Sequence, residues 1–216
     1  MTRHPSFCPV VVLGALLSVV VGLAGCASSP RLRLDPSRAE FPYGGPVDVD
    51  GRVDTAEWAA ARRIEVDLPE GRRVEIFVQR DREHFQFAFV GLDGAAVRAV
   101  QPEVLLDLWG NRASTWDTND WWIRIGLDDC WARGGWGEGD CAQVLTGLEA
   151  TNFPLAPGQA IEVTAEFREM EFDENYDALI GLAFRFVDDR GVPVAVWPLR
   201  AEVEDPSTWA PVSLSH

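Results

Sequence analysis

Lysine is absent. All 19 basic residues are arginine, set against 34 acids for a net charge of −15. Such a surface excludes nucleic acid and anionic lipid head groups as partners, since both are held by basic patches. Histidine is almost as scarce, with only His4, His84 and His216, which removes Ser-His-Asp catalysis and histidine-based zinc sites. There is no internal repeat, no heptad run, no EF-hand pattern and no Cys-x-x-Cys pair. The one long apolar run, residues 10–23, is too short to span a bilayer comfortably.

That run follows a weakly basic start, Arg3 and His4, and ends in Leu23-Ala24-Gly25-Cys26, so residues 1–25 read as a secretory signal. Leu-Ala-Gly-Cys resembles the lipobox of bacterial lipoproteins, which implies a lipidated Cys26 as the first mature residue. Ala27 and Ser28 stand where an aspartate would hold such a lipoprotein at the inner membrane. The expected location is therefore the cell envelope, at the outer membrane, with membrane contact through the lipid alone. Removing the leader takes away Cys8 and, with Cys26 as anchor, leaves Cys130 and Cys141 around a glycine-rich loop. In an oxidising compartment this pair reads as a disulfide, contributing about 3 kcal/mol. Residues 26–45, polar and rich in Pro, Ser and Arg, read as a tether. Residues 46–216 are long enough for one domain with its own core.

Within that domain apolar residues alternate. Val74, Ile76 and Val78 are followed by Phe85, Phe87 and Phe89 across a polar Asp81-Arg82-Glu83 turn, which predicts a hairpin. Residues 104–108, 121–127 and 161–167 alternate in the same way, and a change of phase at Met170 and Phe172 predicts a bulge. Residues 179–187 are apolar on both sides except for Arg185, the pattern of a central strand, and residues 194–199 are expected to close the sheet. Asp54-Thr55-Ala56-Glu57, with capping-box spacing before Trp58, predicts one short helix. The fold class expected is all-β: an antiparallel β-sandwich, jelly-roll-like, with a short helix after the N-terminal turn.

The segment from Val49-Asp50-Gly51 through Glu57-Trp58 and Ala61 resembles the opening of family 9 carbohydrate-binding modules and their DOMON-like relatives. So do, in order, the hairpin at residues 74–90, Pro102-Glu103 leading to Asp107, the alternating residues 161–167, and the Trp209-Ala210 ending. The resemblance spans roughly residues 46–214. It implies a sandwich, non-catalytic binding and often a structural calcium ion; the wider superfamily also contains haem-binding domains, for which His84 and Met170 would be the pair here.

Six of the nine tryptophans lie between Trp109 and Trp136. Indole faces beside amides, carboxylates and guanidinium groups are what a sugar ring needs. If residues 104–108 pair with 121–127 so that Leu106 meets Ile123, then Asp107 falls near Trp122 and Leu105 near Arg124 on the opposite face. The expected ligand set is Trp109, Trp116 and Trp122, with Asp107, Asn119 and Arg124 as polar partners. Trp58, Trp121, Trp197 and Trp209 sit in core-like contexts, whereas Trp109, Trp116, Trp122, Trp131 and Trp136 read equally as exposed or buried. Oxygen donors for calcium come from Asp117, Asn119 and Asp120, or from Asp128, Asp129, Glu138 and Asp140. The function expected is a lipid-anchored binding protein for an oligo- or polysaccharide. The alternative is an envelope lipoprotein that presents the same fold to a protein partner.

Overall fold

The structure, a computed structural model, describes residues 39–92, 100–126, 129–135, 137–151, 156, 158–172 and 179–214. These hold the strands β1 (Ala39–Phe41), β2 (Arg62–Asp67), β3 (Arg73–Arg80), β4 (His84–Val90), β5 (Gln101–Asp107), β6 (Asp120–Ile125) and β7 (Cys130–Gly134). They continue with β8 (Gly137–Asp140), the helix α1 (Cys141–Val144), β9 (Leu148–Ala150), β10 (Ala160–Glu166), β11 (Leu179–Val187), β12 (Pro193–Trp197) and β13 (Ala210–Leu214). One sheet has eight strands in the order β1-β13-β11-β5-β6-β7-β8, with β12 also on β11; the other has five, β2-β3-β4-β10-β9. The pairs are antiparallel except β1 with β13.

The alternating residues supply the inner faces. Val74, Ile76, Val78, Phe85, Phe87, Phe89, Ile161 and Val163 from the smaller sheet are buried in one cluster with Val104, Leu106, Trp121, Ile123, Ile180, Leu182, Phe184 and Phe186 from the larger. Phe184 of β11 meets Phe87 and Phe89 of β4 edge-on at 5.8 and 5.9 Å, tying sheet to sheet. The β3–β4 turn closes as expected, because the Asp81 carboxylate accepts hydrogen bonds from the Glu83 and His84 amides, both at 2.7 Å. The cysteines form the expected Cys130–Cys141 disulfide, which joins the start of β7 to the start of α1.

Four expectations change. Residues 55–60 form turns rather than a helix: the Asp54 side chain accepts from the Ala56 amide and the backbone makes one helical Trp58-to-Asp54 bond before the chain leaves for β2. The one α-helix among the described residues is α1, capped by Asp140, whose carboxylate accepts from the Ala142 amide. Part of the stretch read as a tether belongs to the domain, since β1 pairs with β13 and Phe41 is fully buried against Phe85 and Phe87. The phase change after residue 167 is the end of β10, not a bulge: the chain turns back, with the Phe172 amide donating to the Phe167 carbonyl, and stacks Phe167 and Phe172 on Phe85. Finally, β5 and β6 pair two residues away from the expected register. Leu106 meets Trp121 and Asp107 meets Asp120. An even shift keeps each side chain on its expected face.

The residues that carry the family 9 resemblance at the N-terminus meet at one buried carboxylate. Glu162 of β10 points out of the smaller sheet and accepts from the amides of Asp50, Gly51 and Arg52 at 3.1, 2.8 and 3.1 Å, and from the Trp58 indole N–H at 3.1 Å. Burial pushes its carboxyl above the usual range, against the pull of these donors. The clamp lays residues 50–58 over the outer side of the smaller sheet. Glu162→Ala leaves several buried N–H groups without an acceptor, and is expected to lower unfolding stability by about 3 kcal/mol in urea titrations. A loss within experimental error would show that the segment is held by other contacts.

Candidate functional site

On the outer side of the eight-stranded sheet the side chains line up in rows across the strands. One row runs Val196, Arg185, Glu103, Arg124, Trp131 and Asp140, each the register partner of the next. The adjacent row runs Ala183, Leu105, Trp122, Arg133 and Glu138, and a third holds Gly181, Asp107 and Asp120.

Glu103, fully buried, organises the first row. Arg124 Nε lies 2.7 Å from its Oε1 and Arg185 Nη1 lies 3.2 Å from its Oε2. A buried carboxylate is tolerable only with such partners. The same guanidinium groups lie over indoles: Arg124 is 5.2 Å from the Trp122 ring and 5.8 Å from Trp131, and Arg185 is 5.8 Å from Trp122. Trp122 and Trp131, both half-buried, meet edge-to-face at 4.9 Å. Aromatic faces and hydrogen-bond donors thus converge on one patch, above the buried carboxylate that orders them.

A wall stands over the second row. Residues 198–209 cross the sheet and bury Ala201 and Trp209 against Leu105 and Ala183, with Trp116, Trp122 and Val203 packed alongside. The wall is anchored by the Trp209 indole N–H donating to the Glu202 carbonyl at 2.7 Å and by the Ser207 amide donating to the Ala113 carbonyl at 3.0 Å. Arg133 reaches across, 4.5 Å from the Trp116 ring and 2.8 Å from Glu204. Between this wall and the end of the first row lies an open cavity of about 360 Å³, lined among others by Arg185, Val196, Leu199, Arg200, Glu202 and Glu204.

The third row closes the β5–β6 loop. Asp107 accepts from the Asn119 side-chain amide at 2.7 Å and from the Arg112 backbone amide at 2.9 Å; Asp120 accepts from the Asp117 amide at 2.7 Å, and Asp117 from Asn111 at 2.8 Å. Gly181 leaves the room for Asp107, since a β-carbon there would come within 2.9 Å of the Asp107 β-carbon. Asp107 and Asp120 are directly opposite and both fully buried. Desolvation, reinforced by the neighbouring Asp117 and Asp107 charges, pushes the Asp120 carboxyl up to about 7. Burial raises Asp107 too.

Of the expected ligand residues, the structure brings Trp122 and Arg124 together. Trp116 lies one row away, half-buried against Trp209 and Arg133. Trp109 is 64% exposed on the loop. Asp107 and Asn119 are buried and bonded to each other, so they shape the loop rather than face a ligand. The set Asp117, Asn119 and Asp120 does not fit calcium: its oxygens accept N–H groups of the same loop, and among the described residues no three His, Cys, Asp or Glu side chains converge as a metal site. Asp120 Oδ1 alone is buried without a partner. Of the second set, Asp128 lies outside the described residues, as do Trp136 and Cys26, while Asp140 caps α1. Met170 is buried in the core and His84 Nδ1 lies 3.3 Å from Asp81. Trp121 is in the core between the sheets, Trp58 and Trp209 are buried against the outer sides of the sheets, and Trp197 is half-buried beside Phe184. Glu103, Arg185 and Trp131 complete the site. The lone arginine in an apolar strand was the signal for Arg185.

No protein-family model and no curated protein matches the chain. Among solved structures, a family 9 carbohydrate-binding module from Caldicellulosiruptor kristjanssonii in complex with cellotriose is similar over 82% of this chain and 93% of its own, with a TM-score of 0.63 at 15% identity. The corresponding structure in complex with glucose is similar over 82% and 95%, with a TM-score of 0.58 at 16% identity. At this identity the likeness establishes the fold, a family 9-like β-sandwich.

The third row makes a prediction about pH. Because the folded protein holds the Asp120 proton more tightly than the unfolded chain, whose carboxyl titrates near the ordinary 3.8, rising pH between that value and about 7 removes stability. Asp120→Asn abolishes this titration. Its melting temperature is expected to exceed that of the unaltered protein at pH 8, by an amount on the order of 2 kcal/mol in free energy, with the gap closing toward pH 4. A gap independent of pH would show that Asp120 does not carry the effect.

Proposed function

We propose that the protein is a non-catalytic carbohydrate-binding module, held at the cell envelope by a lipid on Cys26, facing the periplasm or the cell surface from the outer membrane. The observation that carries the reading is the row Arg185–Glu103–Arg124–Trp131 with Trp122 beside it, next to an open cavity of about 360 Å³. Indole rings offer rigid apolar faces to the C–H side of a sugar, and the guanidinium groups that the buried Glu103 holds in place fix its hydroxyls. Trp116, beside the wall, borders the same face, and Trp109 stands exposed on the β5–β6 loop. The fold is the one in which the Caldicellulosiruptor modules hold cellotriose and glucose.

One observation favours a second reading. Guanidinium groups already lie over Trp122, Trp131 and Trp116, while Trp109 and Leu199 stand 64% and 81% exposed, as a surface for an envelope protein would. Tryptophan fluorescence separates the two. Titration with cellotriose and a panel of oligosaccharides is expected to shift or quench emission at millimolar concentrations or below, and Trp131→Ala is expected to weaken binding at least tenfold. A flat response to every sugar would remove the carbohydrate reading and leave the protein-partner one.

A further inference from the structure

Three guanidinium groups lie over indoles on the outer face of the eight-stranded sheet, and they are not held alike. Arg124 and Arg185 are fixed by the fully buried carboxylate of Glu103. Arg133 is held instead by Glu204, at 2.8 Å, and the Glu204 side chain is 65% exposed. The Arg133 guanidinium lies 4.5 Å over the Trp116 ring, the closest such approach among the described residues. Arg133 is also the register partner of Trp122, so its stem rises beside one indole of the patch while its head covers another. The wall behind Glu204 is braced without this ion pair. Glu202 and Asp205 form a bridge that turns the chain at Val203 and Glu204, the Glu202 amide donates to the Thr208 hydroxyl at 2.9 Å, and that hydroxyl donates to the Asp205 carbonyl at 2.6 Å. Ala201 and Trp209 bury the two ends of the same segment. The part left free to move is the long side chain of Arg133.

We propose, resting on the carbohydrate reading, that the Arg133–Glu204 pair is a latch on the sugar face: engaged, it covers the Trp116 ring, and released, it opens that ring to stack on a sugar. An ion pair this exposed contributes little and is screened by salt, in contrast to the two that share the buried Glu103. The stack of Arg133 on a half-buried ring is weak once no carboxylate pins the guanidinium there. Glu138, directly opposite Arg133 on β8 and exposed, offers the freed group another carboxylate on the side away from β6. A sugar and a guanidinium compete for the Trp116 ring, since both lie flat on an indole face. The consequence is a regulated site. Binding of an uncharged ligand acquires a dependence on ionic strength that stacking and hydrogen bonds to neutral hydroxyls do not give it.

The test titrates the neutral oligosaccharides of the panel, cellotriose first, into the unaltered protein, Glu204→Gln and Arg133→Gln by calorimetry. In the unaltered protein affinity is expected to rise about threefold between about 20 mM and about 500 mM sodium chloride. Both variants are expected to bind about threefold more tightly than the unaltered protein at the lower salt, and to lose the dependence. Without sugar, the Trp116 indole N–H resonance, identified by its loss in Trp116→Phe, is expected to move with salt in the unaltered protein and to stand still in both variants. Binding seen in Glu204→Gln and absent from the unaltered protein supports the latch as well. Affinity that is flat or falls with salt, or a Trp116 resonance indifferent to salt, overturns the latch and leaves the carbohydrate reading standing. So does a rise with salt that persists in both variants, which places its origin elsewhere. Weaker binding by Arg133→Gln makes this arginine a ligand group and overturns its role as a cover. Absence of binding by every sugar to all three proteins overturns the inference together with the reading on which it rests.

Discussion

The pairing of β5 between β11 and β6 decides what the outer face of this sandwich presents. Alternation along a strand sends Val104 and Leu106 inward and Glu103, Leu105 and Asp107 outward, and the register then aligns Glu103 with Arg185 on one side and Arg124 on the other. A slip by a single residue would turn Leu106 to solvent and drive Glu103 into the apolar core. Burial on the inner side therefore fixes the outer side to within one choice of register. The remaining choice is made by Asp107 and Asp120, which anchor the two ends of the loop between these strands through its own amide groups. A structural requirement of the loop has set the geometry of the outer face.

This division explains what could be read in the chain and what could not. Strand positions and faces were legible, because the hydrophobic pattern of a strand is a local property: period-two alternation gives the β3–β4 hairpin and the inward side of β5, and an unbroken apolar run gives the central place of β11. The disulfide was legible from the cysteine count and from the export that the leader leads one to expect. The register was not, because the hydrophobic pattern of residues 104–108 and 121–127 is satisfied equally by pairings two residues apart, and the hydrogen bonds of the loop that decide between them carry no periodic signal. Asp107 and Asn119 looked like ligand groups for the same reason. Small polar residues beside tryptophans serve a binding face and a tight loop alike, and only their burial tells the roles apart. The wall formed by residues 198–209 carries no period, so its course across the sheet had no local signal. Nor did the meeting of Glu162 with residues 50–52, more than a hundred positions away in sequence.

Fold and site make separate contributions to the functional argument. The sandwich is of the family 9 kind at an identity where side chains are free to differ, and it says only that a face of this shape can be built. The chemistry comes from the row across β11, β5, β6 and β7, where arginine serves as hydrogen-bond donor, as counter-ion to Glu103 and as a partner to indole. A chain without lysine has placed a planar, permanently charged group at each of these positions.

The Cys130–Cys141 bridge bears on this face in a further way. The outermost strands of a sheet are usually where fraying starts, one hydrogen bond at a time. Here β7 and β8 are the limbs of a hoop sealed by sulfur at its base, so the outermost strand cannot part fully from the strand beside it. Trp131, the residue next to the seal, therefore keeps β8 as its neighbour even when the hydrogen bonds between the two strands open.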